Sequence, residues 1–92
     1  MFINAGNGEI ISDKRLIGIF DLETASVEPA TREWLSAAEK AGRTRYTGTE
    51  IPLSVLLIDA DFHRRAKNAE DTVLVLSQFT PKTVAKRGET AL

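Results

Sequence analysis

Two aliphatic runs separated by a charged segment constrain the fold of this chain more than any other feature. Residues 53–58 and 72–76 are aliphatic and β-branched, a composition typical of buried strands. The segment between them, DFHRRAKNAED, is polar, so an antiparallel β-hairpin with a long loop is the simplest connection. The sequence therefore predicts a sheet built on these two strands.

Further extended segments are predicted in the first half of the chain. LIGIFDLE has apolar residues too closely spaced for strict alternation, which predicts a strand at residues 15–21 that is covered on both faces. Shorter strands are predicted at residues 2–4, 10–11 and 44–47. Gly6 and Gly8 lie between the first two of these strands, which predicts a tight turn there, because glycine accepts the positive φ that such turns require.

One main helix is predicted between Pro29, which suits a first helical turn, and Gly42, which suits a left-handed exit. Its apolar residues recur at helical spacing. They are Ala30, Trp34, Leu35, Ala38 and Ala41. Trp34 is accordingly interpreted as a core residue and not as a platform for a ligand.

A second, shorter helix is predicted to begin at Pro81, with Thr80 as its N-cap, and to end at Gly88. Val84 is its main buried position. Together these elements predict one α/β (α+β) domain over residues 1–92: a small mixed sheet, one main helix, a long-looped β-hairpin and a short C-terminal helix.

Composition excludes several classes of protein. The 92 residues contain no cysteine, which rules out disulfides and thiolate metal sites, and the longest apolar run, residues 55–58, is far too short to span a membrane. A cytoplasmic protein with no membrane contact is predicted. The net charge of -1 argues against coating nucleic acid by bulk charge, so any such contact requires a local patch.

No catalytic constellation is present in the sequence. The glycines of NAGNG lack the spacing and the Lys-Ser/Thr pair of a phosphate loop. His63 is the only histidine and has no nucleophile beside it in sequence, and the neighbouring basic residues would compete with a metal for Asp59 and Asp61. We therefore predict no enzymatic activity, cofactor, metal or small-molecule substrate.

The charged segment at residues 61–71 allows two interpretations. Its bases are His63, Arg64, Arg65 and Lys67, and its acidic neighbours are Asp59, Asp61, Glu70 and Asp71. Because the two sets nearly cancel, a solvated hairpin tip is one interpretation. The other is a functional loop that presents the bases to an anionic partner.

Several segments in order resemble one known family. FINAGNGEIISDKRLIGIFDLET, the helix TREWLSAAEKAG, the aliphatic hairpin and the closing TPKTVAKR are together similar to the small bacterial extracellular matrix regulatory proteins of the RemA/RemB type. The similarity covers nearly the whole chain. DLETAS ahead of TREWL is closer to the RemB-like branch.

The resemblance implies a cytoplasmic domain that assembles into homo-oligomeric rings and, in the RemA branch, binds DNA as a transcriptional activator of biofilm-matrix genes. Asn4, Gly6 and Gly8 match the family's N-terminal turn. Arg15 matches an arginine ahead of a strand, and Pro29 and Arg32 match the start of the helix.

The chain departs from the family pattern in two places. Where the DNA-binding branch has adjacent arginines after a glycine, Gly48 is followed by Thr49 and Glu50, and a carboxylate repels phosphate. The hairpin loop is also longer than the family's. The residues predicted to bind DNA are Arg15, Arg32, Arg64, Arg65 and Lys67. The alternatives are a structural or adaptor ring that has lost DNA binding and, after it, an anion-binding enzyme.

Overall fold

The computed structural model describes residues 2–25, 28–48, 51–61 and 63–90. The strands in this part of the chain are β1 (Phe2–Gly6), β2 (Glu9–Ser12), β3 (Leu16–Asp21), β4 (Thr44–Tyr46), β5 (Ser54–Asp59) and β6 (Thr72–Ser77). The helices are α1 (Leu22–Ala25), α2 (Pro29–Lys40) and α3 (Pro81–Thr90). Short 3-10 turns at Asp13–Arg15 and Ala69–Asp71 precede β3 and β6.

The central sheet has four strands in the order β3-β5-β6-β4. β5 pairs antiparallel with both β3 and β6, whereas β4 runs parallel to β6. The pairing of β5 with β6, from Ser54 opposite Ser77 to Asp59 opposite Thr72, is the predicted hairpin. The predicted fold class, a mixed sheet with one main helix, a long-looped hairpin and a short C-terminal helix, is confirmed.

The sheet buries both of its faces because successive side chains of β5 and β6 point to opposite sides. One face packs against α2. Its buried residues are Leu22, Ala38, Val55, Leu74 and Leu76, with Trp34, Leu35 and Leu57 packed against them. The other face packs against the β1-β2 hairpin and α3. Its buried residues are Ile3, Ala5, Ile11, Leu56, Ile58, Val75 and Val84.

The β1-β2 hairpin depends on a turn in which Gly6 has a backbone conformation that favours glycine. Gly6 has φ 120, which L side chains rarely adopt, and a Cβ atom there would lie 3.2 Å from the Phe79 ring. Asn4 supports the turn, because its Oδ1 accepts a hydrogen bond from the Gly6 N–H at 2.9 Å. Ser77 then links the hairpin to the sheet by donating its hydroxyl to the Ala5 carbonyl.

The predicted helix boundaries are mostly confirmed. Gly42 adopts φ 72 just after α2, and the Thr80 hydroxyl caps α3 by accepting the Thr83 N–H at 3.2 Å. Val84 is fully buried, as predicted. The predicted end of the second helix was wrong, because α3 continues past Gly88 to Thr90. Glycine costs about 1 kcal/mol within a helix, which weakens the helix without ending it.

The prediction that the LIGIFDLE strand is covered on both faces was wrong. β3 is an edge strand, and Ile17 and Phe20 keep 47% and 41% of their surfaces exposed. A bulge between Leu16 and Gly18 shifts the register with β5, so the apolar spacing does not follow simple alternation. The dense apolar pattern thus came from a bulged strand whose α2 side is only partly covered, and not from a strand covered on both faces.

Candidate nucleic-acid interface

The 61–71 loop joins β5 to β6, and acidic side chains within it and beside it fix its shape. Three carboxylates accept hydrogen bonds from its backbone N–H groups. These bonds run from Ala66 to Asp59 at 2.9 Å, from His63 to Asp61 at 2.9 Å and from Lys67 to Asp71 at 3.2 Å. These acidic side chains therefore hold the backbone of the loop in place and are not merely charged groups facing solvent.

Arg15 holds the first end of the loop. Its Nε and Nη2 atoms donate to the Asp59 carbonyl at 3.1 and 2.8 Å, and Nη2 also reaches the Ala60 carbonyl at 3.2 Å. The 3-10 turn before β3 places this side chain next to the end of β5, since Leu16 pairs with Ile58. The arginine that matched the family pattern is thus a clamp on the base of the loop.

Arg43 holds the other end of the loop. Its Nη1 atom donates to the Ala69 carbonyl at 2.7 Å and to the Thr72 hydroxyl at 3.0 Å. Arg43 was not predicted from the sequence, because no local pattern relates it to residues 26 and 29 positions away. The pairing of β4 with β6, with the Leu74 N–H donating to the Arg43 carbonyl, brings them together.

Between these two clamps, the bases of the loop face solvent. Arg64, Arg65 and Lys67 are all exposed, and none of them forms an ion pair with another residue that the structure describes. Arg64 and Arg65 line a cavity of about 140 Å³. The acidic residues that line the same cavity are Asp61, Glu70 and Asp71. The acidic flanks therefore lie beside Arg64 and Arg65, whereas a loop that presents only its bases to an anionic partner would turn these flanks away.

Lys67 belongs to a neighbouring groove. This groove, of about 290 Å³, lies between the loop and the sheet edge and is lined by Lys67, Ile17, Trp34 and Leu57, among others. Trp34 is half-buried and meets Phe20 edge-on with ring centroids 5.8 Å apart. Its contact with the core cluster under α2 confirms that it is a packing residue.

Arg32 lies on the exposed side of α2. It lines an open groove of about 500 Å³ together with Ser36 and Lys40, four and eight positions further along the helix. This spacing puts the two bases on one stripe of the helix. Arg32 lines a different cavity from Arg64 and Arg65, so these predicted DNA-binding residues lie in two separate places on the surface.

Thr49 and Glu50, the positions of the family's arginine pair, lie outside the described residues. Gly48 is described, and it lies beside the β1-β2 turn. A Cβ atom at Gly48 would be 2.8 Å from the Gln78 Oε1 and 3.6 Å from the Asn7 amide nitrogen. Gly48 itself therefore lies on the hairpin side of the molecule.

Exposed guanidinium groups can bind phosphate or carboxylate through paired N–H donors, and this is the main chemistry that the loop offers.

Asp59 is 4% exposed, and its carboxylate accepts a backbone N–H. Among the described residues, no three His, Asp or Glu side chains are grouped to hold a metal ion. No helix in the described ranges is long and apolar enough to cross a membrane.

No protein-family model matches the chain, and no match is found among curated proteins.

Proposed function

We propose that this protein is a cytoplasmic, ring-forming regulator of transcription that binds DNA, as the resemblance to biofilm-matrix regulators of the RemA/RemB type implies. The observation that supports the proposal most is the construction of the 61–71 loop. Arg15 and Arg43 hold its two ends, and Arg64, Arg65 and Lys67 extend from it into solvent. Because both ends of the loop are already held in place, its backbone loses little conformational entropy when its bases bind a partner.

DNA phosphates suit these bases better than base edges do. Arginine binds phosphate oxygens through two parallel N–H donors, and such contacts position a protein without reading sequence. Asp61, Glu70 and Asp71 lie beside Arg64 and Arg65 and lower the net attraction of each copy for DNA. A single copy would therefore bind weakly.

Association of several copies compensates for this weakness. Linked copies that engage one DNA molecule bind far more tightly than any copy alone, because each further contact is intramolecular. Large apolar side chains remain exposed in several places, as expected of a chain that buries more surface on assembly. They include Phe2 (59%), Ile10 (55%), Tyr46 (54%) and Ile51 (83%).

The proposal is tested by replacing both loop arginines. R64A/R65A should weaken binding to a duplex at least about tenfold at low salt and lower the magnitude of the salt slope by about 0.9 for each phosphate that is no longer neutralised. The matched control is K14A/K82A, which removes the same charge from exposed positions outside both the loop and the Arg32 groove and should retain most of the affinity. Fluorescence anisotropy measures the affinity after light scattering has shown that the assembly is unchanged.

Equal affinities for R64A/R65A and the parent, with assembly intact, would contradict the role of the loop. An equal fall in affinity for R64A/R65A and the control K14A/K82A would show that binding follows the total charge of the protein and not a contact at the loop. Both results contradict the role of the loop and leave DNA binding itself standing.

The second candidate function is an adaptor ring without DNA binding. The three carboxylates that share a cavity with Arg64 and Arg65 favour it, since a nearly neutral loop suits a mixed-charge protein partner. A parent assembly that retains no duplex even at low salt would support this candidate and contradict the DNA-binding proposal.

A further inference from the structure

The groove between the 61–71 loop and α2 combines features of a small-molecule site that the proposed function does not use. Its volume of about 290 Å³ is near the lower end of the range for such sites. Ile17 and Leu57 line it from the sheet, Trp34 lines it from α2, and residues 66–69 line it from the loop. An apolar surface therefore meets polar groups of the loop in one place.

Trp34 gives the groove an aromatic surface. Its side chain packs against the core cluster under α2 and meets the Phe20 ring edge-on, and the part that remains uncovered lines the groove. These contacts already hold the indole in place, so it loses little freedom when a flat ring packs on it. The bases of nucleotides stack on aromatic side chains of this kind.

Lys67 gives the groove a positive charge that no carboxylate within it offsets. None of the described residues that line the groove is acidic, and Lys67 forms no ion pair with another described residue. Arg64 and Arg65, in contrast, share their cavity with three carboxylates. The groove is therefore better suited than that cavity to a small ligand with a single anionic group.

Asn68 adds a hydrogen-bond donor and an acceptor beside this charge. Its side-chain amide lines the groove and makes no hydrogen bond to another residue that the structure describes. An amide of this kind can pair with the edge of a base, above all adenine, through one N–H and one carbonyl oxygen.

The backbone that carries Lys67 and Asn68 is held in place without a ligand. The Lys67 N–H donates to the Asp71 carboxylate at 3.2 Å, and the Ala69 carbonyl accepts from Arg43 at 2.7 Å. The cation and the amide are therefore positioned at the groove before a ligand binds.

We propose that this groove binds a free nucleotide, with its base against Trp34 and Asn68 and its phosphate at Lys67. The aromatic surface, the amide and the single cation match the face of a base, its edge and a phosphate. The volume suits one nucleotide and not a run of them, which favours a free ligand over a strand of nucleic acid. The site goes beyond the proposed function and does not depend on DNA binding.

The first test uses the fluorescence of Trp34, the only tryptophan in the chain. AMP should quench this fluorescence saturably. Adenosine should also quench it but bind about two- to fivefold more weakly at low salt, because it lacks the anion. Ribose 5-phosphate lacks the base and should leave the fluorescence unchanged. N-acetyltryptophanamide in the same titration corrects for light absorbed by adenine.

The second test uses two variants of the groove, each with a matched control. K67A should bind AMP and adenosine equally, whereas K14A, at an exposed position outside the groove, should keep the difference. A69F fills the groove without replacing Trp34 and should abolish the response to AMP. A60F changes an exposed alanine of the neighbouring cavity and should retain it. Circular dichroism shows that each variant is folded.

Three results would overturn the proposal: no response of the parent to AMP, equal affinities of the parent for AMP and adenosine, or a response to AMP that survives in folded A69F. A response to a single-stranded oligonucleotide but not to AMP would overturn it as well, since the groove would then belong to a strand. R64A/R65A should keep the full response to AMP while it loses affinity for a duplex. The nucleotide site and the proposed function can therefore fail separately.

Discussion

Arg15 lies outside the 61–71 loop, yet its guanidinium group supplies the contacts that fix where the loop begins. It donates two hydrogen bonds to the Asp59 carbonyl and one to the Ala60 carbonyl. Arg43 does the equivalent at the far end, through the Ala69 carbonyl and the Thr72 hydroxyl. The two residues that position the loop are thus far from it in sequence and are brought to it by the fold.

Replacing Arg15 with alanine should therefore destabilise the protein as well as weaken DNA binding. We expect the free energy of unfolding to fall by about 1.5–3 kcal/mol, the usual range for hydrogen bonds made by a charged group. Urea denaturation measures it. Arg15→Lys should recover little, because one ammonium group cannot reproduce the fork of donors, and Lys82→Ala is the surface control. Unchanged stability in Arg15→Ala would show that the clamp is not needed.

Residue-level prediction from the sequence was limited to what local spacing can report. Val84 and Trp34 were recognised as packing residues because helical periodicity identifies them. Arg15 was recognised only by resemblance, and its acceptors lie 44 and 45 residues away. Arg43 was missed for the same reason: a side chain that bonds to distant backbone carbonyls leaves no periodic signal.

At the scale of elements, α3 depends on one deeply buried contact. Val84 has no exposed surface and packs in the cluster between the sheet and the β1-β2 hairpin, which includes Ile3 and Ile11. Among residues 81–85, the part of α3 whose side chains the structure describes, Val84 alone is buried, so α3 should be sensitive to the loss of this side chain.

Val84→Ala should cost about 1.5–2.5 kcal/mol of unfolding free energy, since it removes two methyl groups at about 0.8 kcal/mol each and leaves a small cavity. Hydrogen exchange should rise first in α3 and β1, because these two elements share the contact. Lys82→Ala, at an exposed position of the same helix, is the control. Uniform exchange across the fold would contradict the view that α3 is anchored separately.

Elements were predicted well where a segment determines its own structure. The β5-β6 hairpin followed from two β-branched runs, and α2 from proline, glycine and a 3.6-residue period. β3 was recognised as a strand, but its position in the sheet was not, because apolar density does not report whether a second strand covers the edge. α1 was not predicted, since four residues are too few to show a period.

At the scale of the whole molecule, this chain carries two kinds of surface that suit assembly. Its apolar side chains are exposed on the hairpin, at the β3 edge and near Ile51, while its bases concentrate on the 61–71 loop and on α2. The net charge of -1 indicated that each basic patch would attract DNA only weakly. It could not indicate how copies are arranged, because that depends on which surfaces the fold leaves exposed.

The salt dependence of duplex binding tests most directly whether several copies act together. One copy offers four candidate phosphate contacts, from Arg32, Arg64, Arg65 and Lys67, which would give a log–log slope of at most about -3.6. A multi-copy assembly on one DNA molecule should give a slope clearly steeper than about -4. A slope that one copy explains, or no binding at low salt, would contradict binding by an assembly.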